Sequence, residues 1–163
     1  MTERRQPLVR NTDKEIAFLE GFGLKVRLLD PIGAAILDAN LAEDVNVDSQ
    51  AIACIERLMA EQGFIVFKSD RQLGVKDFLR VSCWWGGREL HSTHSVHPAT
   101  PKRNPHVFRL SNDPNQGIMG VGPQWHNDGS FITETFSHAG YHMVRPAEKL
   151  SLIHISEPTR PLS

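Results

Sequence analysis

A mixed α+β fold, mainly β with flanking helices, is what the sequence predicts, and three observations predict it. Residues 49–62 carry Ile52, Ile55, Leu58 and Met59 at the 3.6-residue period of a helix with one apolar stripe. Phe64-Ile65-Val66-Phe67 follows at once without a polar residue, as expected of a strand buried on both faces. Elsewhere short apolar or alternating runs recur between glycine, proline and aspartate, the pattern of strands joined by turns.

Taken in order, residues 1–12 are polar and aperiodic and read as a leader outside the fold. Asp13 is placed to cap a short helix over 13–20, with Ile16 and Leu19 on one face and Gly21 and Gly23 stopping it. Residues 24–28 alternate apolar and charged side chains, the signature of a half-buried strand. Asp30-Pro31-Ile32-Gly33 is a turn, 35–41 a second strand and 42–47 a loop. The helix over 49–62 is capped by Asp48 or Ser49, whose side-chain oxygen can accept from free backbone amides, and Gly63 ends it. A further helix is predicted over 75–83, with Phe78, Leu79 and Val81 inward, broken by Gly86-Gly87. Residues 108–111 read as a short strand, 112–117 as a turn-rich loop and 139–144 as a last strand ended by Arg145-Pro146. There is no internal repeat.

Composition narrows the function. The chain has 163 residues, 40% hydrophobic and 23% charged, which suits one globular domain. Its formal charge of −1 offers no basic field for nucleic acid. Cys54 and Cys83 form no Cys-x-x-Cys pair, and no signal peptide or long apolar span precedes them. A cytoplasmic protein that is not embedded in a membrane is therefore the expectation.

The stretch with chemistry in it is Trp125-His126-Asn127-Asp128-Gly129-Ser130-Phe131. On an extended strand residues i and i+2 share a face, so His126 and Asp128 can offer a nitrogen and an oxygen to one point, while Asn127 faces away. Two His and one carboxylate with open positions is the donor set of non-haem Fe(II) oxygenases, and here one His and one carboxylate are in hand. Trp125 is expected to pack in the sheet. His91, His94 and His97 are spaced three apart, but without a cysteine partner and with Ser and Thr between them a closed zinc site is not expected. His106, His138 and His142 sit in no motif, and surface or structural roles are their default.

This seven-residue stretch resembles the metal strand of the TauD/TfdA family of Fe(II)- and 2-oxoglutarate-dependent dioxygenases. Residues 33–41 are similar to the opening strand of that family, 62–67 to its helix-to-strand step and His97-Pro98 to its His-Pro pair, so that the likeness spans roughly 33–149. The resemblance implies a double-stranded β-helix, a jelly-roll relative, of which the N-terminal part is present and the C-terminal half is missing. It implies His126 and Asp128 as metal ligands, Fe(II) as the metal, and 2-oxoglutarate and O2 as co-substrates. Oxidation of a small organic substrate, with release of succinate and CO2, is the implied reaction. His97 and Asn112 are the candidates for lining the substrate pocket. An anionic small molecule is the substrate class that the resemblance suggests.

Residues 150–160 depart from that family, which continues with Gly-Gly-Asp-Thr, and read as the in-frame translation of a transposase adapter used in sequencing libraries. The expected division is thus an N-terminal extension over 1–32, a truncated dioxygenase domain over 33–149 and a non-native tail over 150–163. The third metal ligand and the arginine that the family uses for 2-oxoglutarate would lie past Lys149, and this chain alone is expected to be inactive. A non-catalytic β-sandwich binding module derived from the same fold is the other function class these residues allow. A downstream His and Arg at the family positions would separate the two.

Overall fold

The computed structural model describes residues 12–41, 49–86, 90, 104–121, 124–126, 128 and 133–145. Of the leader expected over 1–12 only Thr12 is described, as the buried first residue of the first helix, while residues 1–11, the loop expected over 42–47, Asp48, His91, His94, His97, Asn127 and the tail over 150–163 lie outside the described residues. Three helices and three short strands follow one another as α1 (Thr12–Gly21), β1 (Lys25–Leu28), β2 (Ala34–Leu37), α2 (Ser49–Gln62), β3 (Ile65–Phe67) and α3 (Val75–Gly86). The fold is mixed α+β. Among the described residues the helices, of 10, 14 and 12 residues, outweigh strands of 4, 4 and 3, so the mainly β weighting is not what is seen there.

The sheet has the order β1-β2-β3. β1 pairs antiparallel with β2, Lys25 opposite Leu37 and Leu28 opposite Ala34, across the turn that Gly33 closes at φ 98°. β2 pairs parallel with β3, and α2 is the crossover that a parallel pair requires. Being central, β2 is the strand covered on both sides, with Ala34, Ala35 and Ile36 fully buried. Among the described residues β3 lies at the edge of the sheet. Phe64 and Val66 are 42% and 37% exposed, which corrects the expectation of burial on both faces. An unbroken apolar run says nothing about position in the sheet, and at an edge only Ile65 and Phe67 turn to the core.

α2 organises the core, touching α1, α3, β2 and β3. Its buried stripe is Ala51, Cys54, Ile55 and Leu58, packed with Leu19 of α1, Ala34 and Ile36 of β2, and Val81 of α3. Ile52 and Met59, expected inward, flank that stripe half-buried. Both helix ends close as their glycines predict. At Gly23, φ 81°, the Leu24 amide donates to Leu19 and the Gly23 amide to Glu20, and at Gly63, φ 88°, the amide donates back to Met59 over 2.7 Å. Asp13 is not the cap of α1, because the helix begins at Thr12, whose hydroxyl donates to Glu61 on α2.

The α1–α2 contact holds a buried charge. Glu15 is only 8% exposed and faces α2 on the same side as Leu19. The Arg57 Nε donates to it over 2.6 Å, and the Cys54 thiol lies 3.4 Å from its Oε2. The guanidinium holds the Glu15 carboxyl below its usual range against the opposing effect of burial. Burial, and then the neighbouring carboxylate, push the Cys54 thiol up to about 11.

α3 runs three residues past its expected end and so carries Trp84 and Trp85 into the helix. Trp85 donates its indole N–H to the Ile52 carbonyl over 3.3 Å, and Trp84 meets Phe67 edge-on at 6.1 Å. The strands expected over 108–111 and 139–144 do not form among the described residues. The first reduces to a single bridge between Leu110 and Ile118, and the second is chain that lies on α3 instead of pairing. No helix among the described residues is long and apolar enough to cross a membrane.

Candidate metal centre

After α3, the chain forms a turn whose geometry is built by one aspartate. Asp113 accepts from the Asn115 amide at 2.9 Å through its carboxylate, and its carbonyl accepts from Gln116 at 2.9 Å and Gly117 at 3.2 Å. This closes 112–117 so that the Ile118 amide can donate to Arg109 over 2.9 Å. Gly117 is required there, since a Cβ would lie 2.8 Å from the Leu110 carbonyl carbon. Asn112 sits exposed on this turn, and no described hydrogen bond or ion pair ties it to His126 or Asp128.

His126 and Asp128 are brought together, though not on a strand. The chain bends at Gln124 and turns at Asp128, and the His126 Nε2 lies 3.0 Å from the Asp128 Oδ1. The imidazole is aimed by its other nitrogen, which lies 2.7 Å from the Gln124 carbonyl oxygen. A carbonyl only accepts, so Nδ1 carries the proton and Nε2 is the nitrogen left to face the carboxylate. The bond to Gln124, and then the charge on Asp128, raise the His126 pKa. The second oxygen of Asp128 accepts from the Tyr141 hydroxyl at 2.9 Å, and that carboxylate raises the Tyr141 pKa in turn.

This donor pair fits a divalent cation. Two adjacent donors around an octahedral ion with bonds of about 2.1 Å are about 3.0 Å apart, which is the separation between Nε2 and Oδ1. Imidazole nitrogen with carboxylate oxygen is also the donor chemistry of non-haem iron. A cation there would displace the proton that Nε2 otherwise shares with Asp128. The hydrogen bonds at Nδ1 and Oδ2 are of the kind that fix a metal-bound histidine and carboxylate. Among the described residues no third His, Cys, Asp or Glu joins the pair.

Sequence reasoning found the pair through its spacing and missed both groups that orient it. A backbone carbonyl carries no residue-type signal, and Tyr141 is 13 residues from its partner. Trp125 corrects an expectation: it is 91% exposed, because the bend at Gln124 turns it to solvent where a strand would have packed it. His138 and His142, expected to be surface or structural, take structural positions. His138 stacks on Trp85 at 5.5 Å and 18°, and His142 lies 5.9 Å from Phe78.

No curated protein and no solved structure was found to match the chain. The model of the family described as "Taurine catabolism dioxygenase TauD, TfdA family" does match, over residues 25–149, beginning at the first residue of β1 and including His97, Asn112, His126, Asp128 and Tyr141. With most of its length inside that match, the chain belongs to the TauD/TfdA family, and its class is that of the dioxygenase-type oxidoreductases.

Proposed function

We propose that the protein is a cytoplasmic Fe(II)- and 2-oxoglutarate-dependent dioxygenase that hydroxylates a small, anionic organic substrate. The observation that carries the reading is the 3.0 Å approach of His126 Nε2 to Asp128 Oδ1 in a chain of this family. When bound, iron with 2-oxoglutarate and O2 supplies the oxidative chemistry, in which succinate and CO2 are released and one oxygen atom enters a C–H bond of the substrate.

His126 would hold the metal through Nε2, its ring kept in the required tautomer by the Gln124 carbonyl. Asp128 would hold it through Oδ1 and contribute the negative charge that offsets part of the charge of the ion. His97 and Asn112 are the residues proposed to line the substrate pocket. The complete domain is proposed to be a jelly roll, with β1, β2 and β3 as part of it, because that architecture presents a cavity between two sheets.

The test is succinate release by the full-length protein with Fe(II), 2-oxoglutarate and ascorbate. His126→Ala and Asp128→Ala are each expected to reduce release to the metal-free background. Unimpaired turnover by His126→Ala would remove this histidine as a ligand and the reading with it.

A further inference from the structure

We infer that Tyr141 is a positioning residue that restricts Asp128 to one metal-facing oxygen; the inference rests on the reading of His126 and Asp128 as ligands. A free carboxylate can present both oxygens to a cation and so occupy two of its positions. Here Oδ2 is engaged by the Tyr141 hydroxyl at 2.9 Å, and Oδ1 alone points to the side where His126 Nε2 stands, at 3.0 Å. One more position on the ion is thereby left for exchangeable ligands, which a reaction that binds a bidentate co-substrate and a gas needs.

Tyr141 is aimed by the helix behind it. Residues 138–143 carry no helix, strand or turn, and the contacts of alternate residues place these on one side. His138, Gly140 and His142 all turn to α3. His138 stacks on Trp85 and approaches Glu56 of α2 at 3.9 Å, His142 lies beside Phe78, and a Cβ on Gly140 would stand 3.7 Å from the Phe78 ring. Tyr141, between two anchored imidazoles, is left facing the other way, onto Asp128. Residue 141 thus carries the docking of this segment on α3 to the carboxylate.

The experiment uses the full-length protein and Co(II), an air-stable probe whose visible bands report the number and geometry of its ligands. Wild type is expected to show a 1:1 site by calorimetry that His126→Ala removes. Tyr141→Phe, an exposed change of one atom, is expected to leave the thermal melt unchanged, to weaken Co(II) binding on the order of 10-fold, and to change the band pattern as Asp128 becomes free to use both oxygens. Wild-type affinity or unchanged bands in Tyr141→Phe, with the site still lost in His126→Ala, would overturn the role of Tyr141 and leave the metal reading intact. Absence of a Co(II) site in wild type would overturn both.

Discussion

The Nε of Arg57 donates to Oε1 of Glu15 across 2.6 Å, joining the exposed flank of α2 to the buried side of α1. Glu15 has a lowered pKa, so its contribution to stability is fully present above the ordinary carboxylate value of about 4.3 and is lost as pH falls through the lower folded value. Arg57 is 56% exposed at its side chain, so water screens the pair and the contribution is on the modest side. Glu15→Gln is expected to cost about 1–2 kcal/mol at pH 7 and progressively less as pH falls below the ordinary carboxylate value. Urea unfolding across that acid range measures this, and a cost that does not fall with pH would refute the charge-based account.

Cys54 and Cys83 should differ in reactivity. The thiolate is the nucleophile, and Cys54 is fully buried with its thiol pushed up to about 11, whereas Cys83 is half-buried. With iodoacetamide at pH 8, mass spectrometry is expected to find Cys83 labelled first and Cys54 only after α1 is released by denaturant. Equal labelling rates under native conditions would mean that α1 does not cover α2 in solution.

Two glycines with positive φ separate backbone strain from crowding. At Gly33 a Cβ would meet the Phe64 ring at 2.4 Å, while at Gly63 nothing stands closer than Ile32 at 4.0 Å. Gly63→Ala is expected to cost about 1–2 kcal/mol from the left-handed backbone alone, and Gly33→Ala about 2–4 kcal/mol with overpacking added. Denaturation midpoints giving the reverse order would show that the Phe64 ring does not rest on Gly33.

In α2, Leu58 is fully buried and Met59 half-buried. Leu58→Ala is expected to cost about 2–5 kcal/mol, and Met59→Ala roughly half as much because half of its surface change is already made in the folded state. Equal losses in thermal or urea unfolding would place the buried stripe where periodicity alone put it.

The helices were legible because their signals are local. A cap, a 3.6-residue stripe and a terminal glycine all lie within one segment, and α2 with Gly63 is read almost to the residue. The centre of its stripe was missed because Ala51 and Cys54 are small, and their burial depends on how closely α1 approaches. β3 was misjudged on the same ground: its sequence is apolar, but its place at the edge is set by the register with β2. Glu15, on which local sequence signals are silent, is the converse case. A carboxylate in a surface helix is ordinarily solvated, and its buried place becomes tolerable only through Arg57, 42 residues later. At the candidate metal centre the i, i+2 spacing brought His126 and Asp128 to notice, although a bend and not a strand brings their donors together.

The solvent exposure of Trp125 has an optical consequence. Of three tryptophans, Trp84 and Trp85 meet edge-to-face at 5.7 Å and lie against the core, while Trp125 stands 91% exposed next to His126. Its emission belongs at the red edge of the spectrum, where iodide can reach it before the other two. A paramagnetic cation held by His126 would darken that edge first, so the fluorescence of the unlabelled protein divides into one signal for the core and one for the bend that carries His126.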